Sequence, residues 1–294
     1  MENWIKRPIP LALVIGGGEL GSATAHRLAR SGLGVAVVDI ACPKCIRRKV
    51  CFATAVLEGQ TEVEGIRVRH VANVDEALKC IRSGEVPLMT RDYGKVCREI
   101  RPDIIVDARM TKTESDMSRG LAPLVIGLGP GFEAGRNVDA VVETMRGHDL
   151  GRVIDEGGAA AFTGVPGVIG GLTSERVIRS PRSGILESKA EIGRMVKKGD
   201  VVAVVRALKG GGADERCGAG TDERCGAGTG GEVRAPISGL LRGLIAGGTR
   251  VGKGQKIGDV DPRGRDIDPA TISDKGRAVA GGVLEAIMHW WKGK

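Results

Sequence analysis

Short apolar runs alternate with amphipathic segments through the first 130 residues of the chain. Six runs predict strands: LALVI (11–15), GVAVVD (34–39), IRVRHV (66–71), VPLMT (86–90), DIIVDA (103–108) and PLVIGLG (123–129). Four segments predict helices: TAHRLARSG, VDEALKCIRSG, YGKVCREI and NVDAVVETM. Strands that alternate with helices indicate a parallel sheet, so we expect a Rossmann-like, doubly wound α/β domain over residues 1–175.

The first apolar run leads into a glycine-rich turn. Gly16, Gly18 and Gly21 have the Gly-x-Gly-x-x-Gly spacing between a predicted strand and a predicted helix. In such a turn the first glycine permits the tight bend, and the second lets a pyrophosphate approach the backbone. The third lets the helix pack on the strand. Asp39 ends the next predicted strand, where an acid would hold ribose hydroxyls.

Ligands of a doubly wound sheet bind at the carboxyl ends of its strands, where Gly16, Asp39, Asp107 and Gly127 should converge. A second glycine-rich turn, GLGPGFEAG, predicts an anion-binding nest of backbone amides. The predicted cofactor-binding residues are Gly16, Gly17, Gly18, Gly21, Asp39, Arg47, Arg48, Asp107, Gly127, Gly129 and Gly131. No catalytic residue and no metal ligand is predicted.

The loop DIACPKCIRRKVCF (39–52) carries four cations beside three cysteines. Arg47 and Arg48 with their neighbouring lysines either clamp phosphates or form a solvated basic loop, and the pattern favours neither. Cys42 and Cys45 form a C-x-x-C motif, which suits metal or redox chemistry. Because no second C-x-x-C completes a four-cysteine site, we interpret them as incidental thiols.

The second half of the chain contains an ungapped internal repeat. Residues 180–205 match residues 235–260 at a constant offset, with glycines and prolines in register. Each copy predicts a β unit, and two such units resemble the barrel-sandwich hybrid of biotinyl and lipoyl domains. We therefore expect an all-β module over 176–265 with a disordered insert at about 210–231. A C-terminal helix is expected within 266–294, with Ser273 as its N-cap before about 274–291.

Lys209 lies near the position of the modified lysine in biotin and lipoyl carriers. The acid and the flanking methionines of the biotin site are missing, and the repeated segment DERCGAGT (214–221 and 222–229) follows in place of a tight hairpin. A carrier function is therefore the least favoured of three interpretations.

Charge and aromatic content limit the partners. A net charge of +8 suits an anionic small molecule or an acidic protein, while aromatic residues at 2% supply no stacking platform for nucleic acid. No run of eighteen apolar residues occurs, and the apolar N-terminal run is too short for a secretion signal. We expect a cytoplasmic protein without a membrane segment, and a homo-oligomer is left open.

Several stretches carry a family resemblance: GGGELGSATAHRL, VDARMTK, IGLGPGFEAGRNVDAVVETMRGHDLGRV, TGVPGVIGG, GEVRAPISGLLRGLI and ISDKGRAVAGGVLEAI. They resemble the YqeB-type accessory proteins of selenium-dependent molybdenum hydroxylase systems, which are related to the XdhC/CoxI maturation factors. Cys42, Cys45 and the duplicated segment at 214–229 depart from that family's pattern.

The resemblance implies an accessory role in supplying mature molybdenum cofactor, as molybdopterin or its nucleotide form, to a client such as xanthine dehydrogenase. Whether that role includes loading of the terminal sulfur or selenium ligand is left open. An NAD(P)-dependent oxidoreductase that uses the first glycine turn and Asp39 is the alternative, so whether the protein is an enzyme is left open.

Overall fold

The computed structural model describes residues 9–111, 113–164, 167–207 and 231–292. Lys209, the duplicated DERCGAGT segment and nearly all of the predicted insert lie outside these residues.

Within the described residues the α-helices are α1 Glu19–Arg30, α2 Thr54–Glu58, α3 Val74–Arg82, α4 Tyr93–Ile100 and α5 Asp274–Lys292. The strands of the first 160 residues are β1 Leu11–Ile15, β2 Gly34–Val38, β3 Gln60–Val63, β4 Ile66–His70, β5 Val86–Met89, β6 Ile104–Asp107, β7 Leu124–Leu128, β8 Glu133–Ala134, β9 Ala140–Val142, β10 Val153–Ile154 and β11 Gly157–Gly158. The later strands are β12 Val177–Arg179, β13 Gly184–Ser188, β14 Met195–Val196, β15 Val201–Arg206, β16 Gly231–Arg234, β17 Gly239–Leu244, β18 Arg250–Val251 and β19 Lys256–Asp261.

The predicted parallel sheet is confirmed. The sheet has the strand order β10-β9-β7-β6-β1-β2-β5-β4-β3. Neighbours from β9 to β4 run parallel, and the two edge strands β10 and β3 pair antiparallel. Its central strands are continuous runs of buried Val, Ile and Leu, as a sheet covered on both faces requires.

The strand order reverses next to β1. From β1 the chain continues to β2 on one side, whereas β6, β7 and β9 lie on the other side. In an open parallel sheet such a reversal opens a crevice outside the carboxyl ends of the two central strands. The residues that follow β1 and β6 therefore face the same crevice.

One predicted element is wrong. The segment NVDAVVETM was expected to be a helix, but Ala140–Val142 forms strand β9 beside β7. All three residues of β9 are buried in the sheet, where β-branched valines pack well on a pleated surface. Tertiary pairing with β7 overrides the helical pattern of the flanking residues.

The C-terminal helix α5 packs closely on α1. A Cβ atom at Gly276 would lie 3.0 Å from the Cβ of Ala23, and one at Gly282 would lie 2.1 Å from the carbonyl oxygen of Gly151. The approach at Gly276 places the first turn of α5 against α1, and the approach at Gly282 places α5 against the backbone of Gly151. As predicted, the Ser273 hydroxyl caps α5 by accepting a hydrogen bond of 3.1 Å from the Gly276 amide.

The repeat forms two four-stranded antiparallel sheets with the orders β12-β19-β17-β14 and β16-β15-β13-β18. The repeated strands exchange partners: β13 of the first copy pairs with β18 of the second, and β17 of the second pairs with β14 of the first. The turns are reciprocal as well. The Lys198 amide donates to the Ser238 hydroxyl at 2.9 Å, and the Lys253 amide donates to the Ser183 hydroxyl at 3.1 Å. The two copies are thus related by a pseudo-twofold exchange of strands.

The chain forms two compact units that are not contiguous in sequence. Among the described residues, the first unit takes 9–40, 58–163 and 272–292, and the second takes 41–57, 164–207 and 231–271. This differs from the predicted contiguous domains, since the loop after β2 joins the β module and the C-terminal helix joins the sheet. No helix among the described residues is long and apolar enough to cross a membrane.

Candidate functional site

The turn between β1 and α1 needs glycine at two positions and leaves space at a third. Gly16 has φ +98°, and a Cβ atom there would lie 3.1 Å from the carbonyl oxygen of Ala108. A Cβ atom at Gly21 would lie 1.8 Å from the carbonyl oxygen of Gly16. Gly18 has an ordinary φ of −71° at the N-cap of α1, and a Cβ atom there would have no heavy atom within 4 Å. The open part of the turn is therefore at Gly18.

Asp39, at the end of β2, binds this turn directly. Its Oδ2 atom accepts a hydrogen bond of 2.6 Å from the Gly17 amide, and its Oδ1 atom accepts one of 2.7 Å from the Ile40 amide. Burial raises the pKa of Asp39, while these two amides act in the opposite direction. The Gly17 amide is thus committed to Asp39, while Gly18, the N-cap residue of α1, has no side chain that could cap the helix.

Asp107, at the end of β6, holds Arg109. Asp107 is fully buried, and its carboxylate accepts hydrogen bonds from the Nε atom of Arg109 at 3.0 Å and from Nη2 at 2.6 Å. The backbone nitrogen of Arg109 lies 3.3 Å from the Cβ position of Gly16. As predicted, Gly16 and Asp107 lie at the same edge of the sheet. The Asp107 carboxylate, however, is paired with Arg109.

Arg109 also contacts two side chains on its other side. Its Nη2 atom donates to Asp116 Oδ1 at 2.5 Å, and its guanidinium carbon lies 4.9 Å from the centre of the Tyr93 ring. The Tyr93 hydroxyl donates to Asp116 Oδ2 at 3.0 Å. Hydrogen bonds from Arg109 and Tyr93 keep the pKa of Asp116 below its usual range, so this carboxylate stays ionised.

The second glycine turn is filled by protein atoms. Cβ atoms at Gly127 and Gly129 would lie 2.2 Å from the Phe132 ring and 2.5 Å from the Thr144 hydroxyl. A Cβ atom at Gly131 would lie 2.5 Å from the carbonyl oxygen of Thr113, and the Gly129 amide donates to Val142. These glycines serve close packing, so the predicted anion nest at 127–131 has no support in this geometry.

Two ionisable side chains at the same edge were not singled out from the sequence. Glu143 follows β9, is buried, and accepts hydrogen bonds from the amides of Thr144, Met145 and Ala160. It therefore holds the chain near 160 against the end of β9.

Lys275 is the second of these side chains. It lies in the first turn of α5, where the Ser273 hydroxyl donates to Glu19 Oε1 at 2.9 Å. Burial lowers the pKa of Lys275, with opposing effects from Glu19 and Glu143 and a further lowering by Arg146. Within the described residues its ammonium makes no hydrogen bond or ion pair. A partly buried ammonium thus lies near the first turn of α1.

Arg47 and Arg48 bind backbone oxygens and do not form the phosphate clamp, which the sequence left open beside a solvated basic loop. Arg47 is buried and donates to the carbonyl oxygens of Thr271 at 3.0 Å and Pro269 at 3.4 Å, and Arg48 donates to that of Leu244 at 2.9 Å. All three acceptors belong to the β module. These guanidinium groups satisfy backbone oxygens there because residues 41–57 fold as part of the second unit.

The cysteine motif does not form a site among the described residues. Cys45 carries a free thiol, so it is not bonded to Cys42. The interpretation of the two cysteines as incidental thiols stays a prediction. Within the described residues no group of three His, Cys, Asp or Glu side chains could hold a metal ion.

Sequence comparison finds a curated relative that matches most of the chain. No family model matches the chain. The chain is 40% identical over 278 residues to "Uncharacterized protein YqeB" of Escherichia coli (strain K12). The aligned region covers 95% of the chain and 47% of the relative. The chain therefore spans about half the length of the curated relative it matches. This similarity supports the YqeB family, and the relative's name carries no activity.

Solved structures are only distantly similar. An aspartoacylase family protein from Mesorhizobium loti is 10% identical with a TM-score of 0.27, covering 86% of this chain and 85% of that chain. The ectoine utilization protein EutE (DoeB) from Ruegeria pomeroyi is 14% identical with a TM-score of 0.26 and the same coverage. A short-chain dehydrogenase/reductase from Serratia marcescens is 15% identical with a TM-score of 0.22, covering 41% and 55%. TM-scores this low carry no argument about fold or function.

Proposed function

We propose that this chain is a YqeB-type accessory protein in the maturation of selenium-dependent molybdenum hydroxylases, related to the XdhC/CoxI factors. In this proposal the first unit is a Rossmann-like domain that binds the phosphorylated pterin, or the nucleotide form, of the molybdenum cofactor. The second unit is a barrel-sandwich hybrid that docks a xanthine-dehydrogenase-like client. Support for the role comes from the family resemblance of the sequence, and support for the ligand class comes from the geometry at α1.

The observation that carries the ligand class is the N-terminus of α1, where the N-cap residue Gly18 has no capping side chain and leaves open space. Backbone amides at a helix N-terminus lack partners within the helix and carry the positive end of the helix dipole. A phosphate at this position would accept hydrogen bonds from these amides. The switch point of the sheet is also where ligands of this fold class bind.

Lys275 supplies a cation suited to the same phosphate. Its ammonium is partly buried and near Glu19, the first residue of α1, so a bound phosphate would offset its desolvation. The groups present thus fit the phosphate end of the cofactor. When bound, the cofactor itself supplies the metal and its terminal sulfur or selenium ligand, while the chain's own residues hold the phosphate and orient the ligand.

The test is a pair of substitutions at Gly18. Gly18→Asp places a carboxylate at the N-cap, which favours helix formation but repels an anion at the same amides. Gly18→Ala adds one methyl group in open space and is the matched control. The protein is incubated with molybdenum cofactor released from a donor enzyme and passed over a desalting column, and molybdenum and oxidised-pterin fluorescence are measured in the protein fraction.

We expect wild type and Gly18→Ala to retain molybdenum and pterin in equal amounts, and Gly18→Asp to retain at least about tenfold less. Equal retention by Gly18→Asp, or no retention by wild type, would contradict the proposal.

A nicotinamide-dependent oxidoreductase is the second candidate, because Asp39 ends β2 beside the glycine turn. Both carboxylate oxygens of Asp39 already accept backbone hydrogen bonds, which ribose hydroxyls would have to share. Titration with NADH and NADPH, followed by nicotinamide fluorescence, separates the candidates. Micromolar binding that Asp39→Asn weakens would favour the oxidoreductase.

A further inference from the structure

The side chains of Tyr93, Arg109 and Asp116 form a polar corner that the phosphate site does not use. We call these three residues the Arg109 corner. Arg109 lies two residues after the end of β6, and its backbone nitrogen lies 3.3 Å from the Cβ position of Gly16 in the glycine turn. The corner therefore begins where the glycine turn meets β6.

The orientation of Arg109 is determined from three directions. Asp107 binds Nε and Nη2, Asp116 binds Nη2, and the guanidinium carbon lies over the Tyr93 ring. Each of these contacts removes side-chain freedom before a ligand arrives, which lowers the entropic cost of binding. The Arg109 corner is thus pre-organised.

Hydrogen-bonding capacity remains on both charged groups. Within the described residues Nη1 of Arg109 makes no hydrogen bond, and the Arg109 side chain is 28% exposed. The Asp116 carboxylate is 64% exposed, and each of its oxygens accepts one hydrogen bond from Arg109 or Tyr93. Each carboxylate oxygen can accept a second hydrogen bond. The corner therefore offers donors at Nη1 next to acceptors on Asp116.

The charge of this cluster excludes a second phosphate as its ligand. Arg109 carries one positive charge, while Asp107 and Asp116 carry two negative charges, so an anion would meet net repulsion. A neutral planar ring with N–H donors beside a carbonyl oxygen suits the arrangement better. The N–H groups would donate to Asp116, and the carbonyl oxygen would accept from Nη1 of Arg109.

We infer that the Arg109 corner binds the 2-amino-oxo-pyrimidine edge of a fused ring, the edge that pterins and guanine share. The inference rests on the proposed function, because it assigns the ring of a phosphorylated ligand to this corner and the phosphate to the first turn of α1. Adenine has a donor where this edge has a carbonyl oxygen, and it lacks the 2-amino group. The corner therefore discriminates against adenine nucleotides.

The test compares guanosine 5′-monophosphate with adenosine 5′-monophosphate by isothermal titration calorimetry on the full chain. We expect the guanine nucleotide to bind wild type about tenfold or more tightly than the adenine nucleotide. Asp116→Asn replaces an acceptor by a donor amide, so it should remove this preference and leave adenosine 5′-monophosphate affinity within about twofold. Unchanged binding of the adenine nucleotide also shows that the variant is folded.

Asp139→Asn is the matched control. Asp139 also accepts a hydrogen bond from an arginine, at 2.8 Å from Arg119 Nε, but it precedes β9 and lies at the amino ends of the strands. Its substitution should leave the ratio of the two affinities unchanged.

The possible failures are distinguishable. The inference is overturned if wild type binds the two nucleotides with equal affinity, or if Asp116→Asn keeps the preference for the guanine nucleotide. In either case the phosphate site stands if Gly18→Asp weakens binding of both nucleotides. Absence of binding by either nucleotide overturns the inference, and if the cofactor is not retained either, the proposed function falls with it.

Discussion

Two clusters of Arg and Asp occur in this molecule, one at the sheet edge of the first unit and one inside the β module. In the β module, Arg176 pairs with Asp259 at 3.0 Å, Arg242 lies 3.6 Å from Asp261, and Arg263 pairs with Asp261 at 2.8 Å. The side chains of Arg176, Arg242, Asp259 and Asp261 are all less than a tenth exposed. At the sheet edge, by contrast, Arg109 and Asp116 remain partly open to solvent.

The difference in exposure decides what each cluster can do. Buried charges lose their hydration, so each depends on its protein partner and is out of reach of a ligand. The Oδ1 atom of Asp259 is buried without a hydrogen bond in the described part of the chain, and it lies 2.8 Å from the Cβ position of Gly243. The β-module cluster is therefore structural, whereas the sheet-edge cluster keeps donors and acceptors that a ligand can reach.

The largest effect is expected from breaking the buried cluster. Asp259→Asn leaves Arg176 buried without its charged partner, which should lower the free energy of unfolding by about 3–5 kcal/mol. Asp116→Asn, which changes an exposed carboxylate, should cost less than about 1 kcal/mol. Urea unfolding followed by circular dichroism measures both. Equal losses would show that exposure does not distinguish the two clusters.

The glycine turn provides the next comparison, between a filled and an open position. Gly21→Ala forces a methyl group against the Gly16 carbonyl oxygen and should destabilise by about 1–3 kcal/mol or more. Gly18→Ala meets no atom and should stay within about 0.5 kcal/mol of wild type. Thermal unfolding distinguishes them, and a stable Gly21→Ala variant would contradict the described packing.

Lys275 should show a smaller, pH-dependent effect. Burial lowers the pKa of Lys275 below its ordinary value of 10.5, so the unfolded chain binds the proton first as the pH falls below 10.5. The resulting loss of stability grows until the pH passes the lowered pKa and is constant below it. Lys275→Met should therefore be more stable than wild type at about pH 7, with the difference shrinking as the pH rises towards about 10. It should also weaken retention of the phosphorylated ligand. A difference that does not vary with pH would argue against the described burial.

The smallest effect is expected at the surface of the β module. Arg206 and Lys189 lower the pKa of Glu187 to about 2, yet all three side chains are more than a third exposed. Solvent and salt screen such pairs, so Glu187→Gln should change the free energy of unfolding by less than about 1 kcal/mol at neutral pH. A loss as large as that of Asp259→Asn, measured in the same urea experiment, would remove the distinction between buried and exposed pairs.

Much of the fold follows from local patterns. The run LALVI became β1 with the predicted limits, and the strands at 66–70, 86–89, 104–107 and 124–128 lie within the predicted runs. The Ser273 cap and the repeat were also predicted, because caps and turn glycines are determined by residues close in sequence. The helix predicted at NVDAVVETM failed because pairing with β7 outweighed its short local pattern.

The candidate site was predicted only in part. Gly16, Gly18, Gly21, Asp39 and Asp107 lie at the switch point, since strand ends and a glycine spacing are readable from sequence. Arg109 carried a weaker signal, its position just after the end of β6, and Asp116 follows in the same connection to β7. Lys275 carried none, because it reaches the site from a helix more than 250 residues away along the chain.

The sequence by itself determined the elements whose causes lie within a few residues: apolar runs, turn glycines, a helix cap and a duplicated β unit. Only the tertiary structure decided which charges are enclosed by the protein and which stay open to solvent. Arg47 and Arg109 are equally basic in sequence, but one is enclosed by backbone carbonyls of the β module and the other is held at an open sheet edge. Burial and the partners that compensate it depend on contacts between distant parts of the chain, and those contacts set the cost and the use of each charge.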